Sequence, residues 1–163
     1  MGNEVRGNYC TWNPLDNGGL TLSNGNLEAD RSNSGYLSSR STIGVSSGKW
    51  YWECTCDTSN SGNIVGFGIA TQQASLSTYL GANAFGWCYF GDGGTKYNNG
   101  SGTAYGATFT TNDVIGVALD LDTGTLVFYK NGASQGTAYS SLAANTYFPA
   151  ITLWGTAGGT LNA

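Results

Sequence analysis

Apolar and polar side chains alternate along residues 48–57 of this chain. Successive side chains of a β-strand point to opposite faces, so this spacing predicts a strand with one apolar face. We expect the side chains on that face to lie in the core. They are Trp50, Trp52, Cys54 and Cys56.

A second strand is predicted over residues 63–70, where large apolar side chains alternate with small residues. Gly66 and Gly68 lie inside this segment. A glycine within a strand often marks the close approach of another backbone or of a large ring. We therefore expect the strand that carries Trp50 and Trp52 to be its neighbour.

The strongest hairpin signal lies in residues 114–130. Alternating apolar residues stand on both sides of an Asp-Thr-Gly turn at residues 122–124, and they predict two strands that share a core face. The Asn131-Gly132 pair that follows predicts a tight turn, because both residues tolerate positive φ. The core side chains expected from these strands and from the second strand are Phe67, Leu119 and Phe128.

The rest of the chain also favours β structure. A last strand is predicted over residues 147–154, where Pro149 suits a sheet edge or the start of a strand. Three long polar stretches, residues 71–83, 91–103 and 133–145, are predicted to be loops. Helical spacing is absent, and Gly, Asn and Ser recur roughly every eight to twelve residues, which indicates an all-β sandwich or barrel.

The chain carries little charge. Only 10% of its 163 residues are charged, against roughly 25% in an ordinary soluble domain. Neutral polar residues must keep its surface soluble, as is common in secreted proteins, adhesins and virus particles. The net charge is −4 and the six basic residues are scattered, so we expect no nucleic-acid surface. No apolar run approaches the ~20 residues that span a bilayer, so we expect no membrane insertion.

The sequence contains no histidine. This absence excludes Ser-His-Asp and Cys-His catalysis and removes the commonest ligand of zinc and iron sites. We therefore predict a chain that is not an enzyme and that needs no metal and no cofactor. A carboxylate pair such as Asp57 and Asp92 stays open as an alternative, because the sequence does not state their separation in space.

Three motifs have a structural interpretation as well as a chemical one. Cys54 and Cys56 are interpreted as buried thiols rather than a metal or redox pair, because a one-residue spacer places both on the apolar face. Residues 120–124 resemble a calcium loop, but Asn131 stands where its closing Glu would be, so we predict a turn. The glycine-rich residues 91–94 precede no helix and are predicted to be a loop.

Five segments in order resemble the SPRY (B30.2) family, and the resemblance runs from about Trp12 to Leu161. The family implies an all-β fold, a bent sandwich of two antiparallel sheets of the concanavalin-like kind, over a single domain at residues 1–163. It also implies a non-catalytic module that binds a protein or peptide through loops at one end. The segments are residues 48–53, 65–70, 112–122, 126–132 and 147–151.

The resemblance also implies a binding site. In peptide-binding members the pocket takes a Tyr from the loop after the Gly-Ile-Ala strand and a Trp-Gly pair after the proline-containing strand. An early loop, matched here at residues 30–33, adds a contact, and residues 91–103 would form the rim. Aromatic rings among Ser, Gly and Asn are typical of binding loops, and they also stack on sugars, so a glycan ligand stays possible. The expected ligand-binding residues are Tyr79, Trp154, Gly155, Asn33 and Tyr97.

The opening of the chain, residues 9–16 and 20–27, resembles SPRY modules of bacteriophage and environmental viral structural proteins. This implies a virion protein of a tail, fibre or decoration, assembled in the host cytoplasm, with virion neighbours or a host-surface receptor as partners; otherwise the chain would be cytoplasmic. A glycan-binding adhesin and a purely structural virion subunit are the alternatives. The family usually adds a strand after residues 159–161, so we expect a longer polypeptide or a neighbour to cover that edge.

Overall fold

The computed structural model describes residues 9–59 and 62–162, and those ranges contain strands and turns but no α-helix. They therefore contain no helix of the length and apolar character needed to cross a membrane. The all-β prediction is confirmed. The strands are β1 (Trp12–Asn17), β2 (Thr21–Ser23), β3 (Glu28–Ser41), β4 (Lys49–Thr58), β5 (Ile64–Ala70), β6 (Gly86–Phe90), β7 (Thr95–Asn98), β8 (Ser101–Ala104), β9 (Val114–Asp120), β10 (Thr125–Lys130), β11 (Ala133–Tyr139) and β12 (Phe148–Asn162).

The strands form one curled antiparallel sheet in the order β11-β10-β9-β4-β12-β5-β6-β7-β8, with β3 beside β12 and with β1 and β2 on β3. The first half of β12 pairs with β5 and its second half pairs with β4, while β3 follows both halves. Both long strands thus belong to two layers, as in sandwiches whose corner strands switch sheets. The rings of Tyr89 on β6 and Phe128 on β10 meet between the layers, 5.4 Å apart.

The bend of β12 is built at Gly155. Its φ is +74°, a region that favours glycine, and a Cβ there would collide with Oδ1 of Asn63. The same Oδ1 accepts a hydrogen bond of 2.7 Å from the Thr156 amide. Beyond the bend, a Cβ on Gly159 would lie 2.8 Å from the Ile151 side chain and the Phe67 ring. Both glycines therefore let β12 fold back over its own first half.

The core confirms most of the predicted side chains. Phe67, Leu119 and Phe128 are buried, as are Cys54 and Cys56. Trp52 is only partly buried and packs against the core.

The prediction for Trp50 is wrong, because 48% of the residue is exposed. It is the second residue of β4, and its indole N–H donates to the Ser47 carbonyl. The ring lines an open apolar cavity with Val45 and Pro149 rather than lying beneath the other layer.

The glycines inside β5 do mark a close approach, but from a different strand. A Cβ on Gly66 would meet the Phe90 ring, and one on Gly68 would meet the Trp87 carbonyl. Both neighbours belong to β6, which pairs with β5. The expectation that the strand of Trp50 and Trp52 lies there is wrong.

The hairpin predictions hold at their turns. β9 and β10 pair around residues 121–124, and both Asn131 and Gly132 have positive φ, at 49° and 79°. Residues 71–83 form turns and bends without a strand, as predicted. The other two predicted loops are wrong, because 91–103 contains β7 and most of β8, and 133–145 contains β11. These strands are mostly exposed or half-buried, so their polar, glycine-rich sequences lack the apolar alternation that predicts a strand.

Both ends of β12 also differ from what the sequence predicts. Pro149 lies at the start of β12, as predicted, but β12 is an interior strand rather than an edge. The unpaired edge expected after residues 159–161 is not found, because Leu161 pairs with Cys54 of β4 and its amide donates to the Leu27 carbonyl. The longer polypeptide stays a prediction.

Substituting Gly155 by Ala should destabilise the domain more than substituting Gly132 by Ala. Both positions have positive φ, which costs a residue with a Cβ about 1–2 kcal/mol. Only at Gly155 would the Cβ also meet Asn63, since the space around Gly132 is open. Urea unfolding of both variants measures the difference, and equal losses would contradict the steric role given to Gly155.

Phe128→Ala should cost about 3–5 kcal/mol of unfolding free energy, because it empties the space of a fully buried ring. Trp50→Ala serves as the comparison, since this larger side chain is half exposed. Its loss should be clearly smaller. A loss at Trp50 equal to that at Phe128 would mean that the open cavity beside Trp50 is covered in solution.

Candidate functional site

Five aromatic rings lie in contact with one another. Tyr79 lies against Tyr36 at 5.3 Å and against Tyr97 at 5.8 Å, measured between ring centroids. Phe90 lies 5.3 Å from Tyr97 and 6.0 Å from Tyr36. The Trp154 ring packs on Tyr36 at 4.9 Å. Tyr36, Tyr79, Phe90 and Tyr97 belong to a cluster separate from the main core, and Trp154 is joined to it through Tyr36.

Each ring comes from a different part of the chain. Tyr36 belongs to β3, Phe90 ends β6, Tyr97 belongs to β7 and Trp154 lies at the bend of β12. Tyr79 alone comes from a segment without a strand.

The segment that carries Tyr79 is tied to its neighbours. The Ser38 hydroxyl donates to the Thr78 carbonyl at 2.8 Å, and the Ser38 amide donates to the Leu76 carbonyl at 2.9 Å. Farther along, the Gly100 amide donates to the Gly81 carbonyl at 2.9 Å. The segment is therefore held between β3 and the turn that joins β7 to β8, and this fixes the position of Tyr79.

Four of the five rings, those of Tyr36, Tyr79, Phe90 and Tyr97, line an open cavity of about 410 Å³, called the aromatic pocket below. Its size is within the range of small ligand sites, and its walls are mainly aromatic with a few polar groups, as such sites commonly are. The lining residues are Tyr36, Tyr79, Phe90, Asp92, Gly93, Thr95 and Tyr97.

The Tyr36 hydroxyl is neutral at physiological pH. Burial raises its pKa to about 12, and the nearby Asp92 carboxylate adds to the rise, because both disfavour a second negative charge. Tyr36 therefore reaches the pocket as a phenol that can donate a hydrogen bond.

The structure brings together some of the residues expected from the sequence. Tyr79 and Tyr97 both line the aromatic pocket. Trp154 supports Tyr36 from behind and is not among the lining residues. Gly155 and Asn33 are opposite each other in the pairing of β12 with β3. Asn33 is thus part of a strand and not of a loop as predicted, and it does not line the pocket.

Two pocket residues, Tyr36 and Phe90, are not among those expected from the sequence, whereas the others besides Tyr79 and Tyr97 belong to residues 91–103, which are expected at the rim. Tyr36 follows Ser34 and Gly35, so it has the same setting among small polar residues that makes Tyr79 a candidate. Phe90 ends an apolar run and has the pattern of an ordinary core residue. Asp92 belongs to the stretch expected at the rim, and the sequence also suggests it as a partner of Asp57.

The carboxylate pair of Asp57 and Asp92 is not formed. Asp57 accepts a hydrogen bond from the Thr160 hydroxyl and lies in the field of Glu28, and it acts in turn on Asp30. Asp92 lies in the turn between β6 and β7, at the aromatic pocket. The two acids therefore belong to different surroundings.

The three thiols on β4 and β6 are not activated as nucleophiles. Burial raises the pKa of Cys54 and Cys88 well above the usual range, and it raises that of Cys56 to about 12. All four cysteines are free, and a buried neutral thiol is a poor nucleophile. Within residues 9–59 and 62–162 there is no group of three or more potential metal ligands.

A model of the SPRY domain family matches residues 49–163, which is more than half of the chain. Ran-binding protein 9 of Xenopus tropicalis is 36% identical over 146 residues, covering 84% of this chain and 27% of that protein. The ATP-dependent RNA helicase DDX1 of Xenopus laevis is 40% identical over 100 residues, covering 61% of this chain and 13% of that protein. The chain thus spans about a quarter or less of the length of these relatives.

Two solved structures share the fold. The SPRY domain of human HERC1 has a TM-score of 0.82 at 22% identity and covers 92% of this chain and 96% of its own. The PSpry domain of TRIM65 has a TM-score of 0.74 at 18% identity, with 94% and 92% covered. Identities this low show the fold alone.

These comparisons agree with the curled antiparallel sheet and with the segments that carry the resemblance. They give no support to a bacteriophage setting, because the relatives are animal proteins. The chain belongs to the SPRY domain family, whose members are generally non-catalytic modules for protein interaction.

Proposed function

We propose that this domain binds a protein or peptide ligand in the aromatic pocket. The observation that carries the proposal is the convergence of Tyr36, Tyr79 and Tyr97 around an open cavity. Rigid rings supply contact area at a low cost in conformational entropy, and the neighbouring polar groups orient the ligand.

The support of the rings strengthens this proposal. Tyr97 is paired within β7 and β8, Tyr36 lies on β3 between residues paired with β12, and Tyr79 is held by a hydrogen-bonded segment. Little therefore has to be ordered when a ligand arrives. Aromatic anchors in such pockets carry much of the binding energy of protein interfaces. Ran-binding protein 9, a relative of this chain, is likewise named for a binding function.

A glycan is the second ligand class that the same rings would suit, because sugar rings stack on Tyr faces. A glycan array on the purified domain separates this possibility from peptide binding. The virion setting rests only on the low charge and on the resemblance of residues 9–16 and 20–27. Peptide binding in the pocket does not depend on that setting.

Tyr79→Ala should weaken binding strongly. Peptides selected from a displayed random library against the parent domain provide the ligands, and their affinity is measured for each variant by calorimetry. Loss of an anchor of about 2 kcal/mol corresponds to roughly a thirtyfold weaker affinity. Trp154→Ala should also weaken binding, because Tyr36 loses its support. Thr137→Ala is the control, since Thr137 is an exposed residue of β11 that does not line the pocket.

Unfolding curves of the three variants separate lost binding from lost folding, which matters most for Trp154. A folded Tyr79→Ala variant that binds every selected peptide as well as the parent would overturn the proposal. The contact would then lie elsewhere, for example at a lateral sheet edge.

A further inference from the structure

One acidic side chain stands at the mouth of the aromatic pocket. Asp92 is exposed, lines the pocket together with Tyr36, Tyr79 and Tyr97, and raises the pKa of Tyr36 through its charge. It also lines a neighbouring cavity, together with Lys130. Within the part of the chain that the structure describes, Asp92 forms no ion pair.

The basic groups of the described residues have partners away from Asp92. Lys130 lies 3.2 Å from Asp113 and donates to the Thr108 carbonyl. Lys96 reaches the Ala138 carbonyl and the rings of Tyr105 and Tyr139. The other three are Arg31 on the Ser34 and Gly35 carbonyls, Arg40 on Asp16 and Lys49 on Asp120.

The pocket thus combines several aromatic rings with an unpaired negative charge. An ammonium or guanidinium group is attracted to the face of an aromatic ring within about 6 Å, and the attraction grows as water is excluded. Several rings around one space add their attractions, as in the cages that hold methylated ammonium groups. A carboxylate at the rim attracts the same cation and repels an anion.

We propose that the aromatic pocket receives a cationic side chain of the ligand, an arginine or a lysine, with Tyr36, Tyr79 and Tyr97 as walls and Asp92 at the rim. This inference rests on the proposed function and adds the chemistry of the residue that the pocket selects. The cavity of about 410 Å³ has room for one such side-chain head together with adjoining ligand atoms. The net charge of −4 favours the approach of a basic segment as well.

Two small probes of nearly the same shape test the charge preference. Choline carries a quaternary ammonium group, and 3,3-dimethylbutan-1-ol is its neutral counterpart. Each is titrated into the domain while the ring resonances of its tyrosines are followed by NMR. We expect saturable shifts of Tyr36, Tyr79 and Tyr97 with choline, and an affinity for the neutral alcohol lower by about threefold to thirtyfold.

Two substitutions locate the effect. Asp92→Asn should weaken choline binding severalfold and leave the neutral probe unchanged, since it removes only the charge at the rim. Tyr79→Leu should also weaken choline binding, because it replaces a ring face by an aliphatic group of moderate size. Asp122→Asn is the matched control: it removes the same charge from an exposed turn between β9 and β10 and should change neither titration.

The outcomes separate this inference from the proposed function. Equal affinity for the two probes, or shifts that Asp92→Asn does not alter, would overturn the cationic preference, and so would the absence of any shift with choline. Peptides selected from the displayed library should be rich in Arg or Lys at one position. Peptides that need Tyr79 but show no basic residue would overturn the inference and leave the proposed function standing, whereas peptides that ignore Tyr79 would overturn both.

Discussion

The bend of β12 is the constraint on which the rest of the structure depends. This strand of 15 residues must pass from one layer to the other while it stays paired with β3 along both halves. Gly155 permits the change of direction at a φ of +74°. At the bend, the Asn63 side chain accepts a hydrogen bond from the Thr156 amide. An amide left without a partner there would cost free energy comparable to a lost hydrogen bond.

The neighbouring strand β3 has a bulge opposite the bend of β12. Between Leu37 and Asn33, three residues of β3 lie opposite Trp154 alone. Arg31 donates to the carbonyls of Ser34 and Gly35 within this bulge, so their oxygens keep partners. The bulge and the bend together turn Tyr36 and Trp154 to the same side, where their rings meet at 4.9 Å. One irregularity of the backbone therefore closes the sandwich and builds one wall of the aromatic pocket.

Strands with an apolar alternation of their own can be predicted from the sequence, whereas strands that depend on their neighbours cannot. The alternation in residues 48–57 and the hairpin at 114–130 are local signals, and they predict β4, β9 and β10 correctly. β3 gives no such signal because its interior is polar: Ser38, Ser39 and Arg40 are buried, and Arg40 is neutralised by Asp16 and bonded to two backbone carbonyls. Such a strand depends on its neighbours, and strand preference is dominated by that context. The same holds for the site, since Tyr36 and Phe90 join Tyr79 only through the pairing of distant strands.

The residues that line the pocket come partly from strands and partly from the connections between strands. Phe90 and Tyr97 are paired with neighbouring strands and Tyr36 lies in the bulge of β3, so changing their positions would disturb the sheet. Tyr79 and Asp92 lie in connections between strands, where substitutions are tolerated more easily and where binding residues concentrate. In the proposed site, the strands would supply a fixed set of rings, and the two connections would supply the ring and the charge that distinguish one ligand from another. A preference for basic ligands would therefore depend on the Asp92 turn far more than on the fold, and a neutral residue there would leave the same pocket with a different ligand.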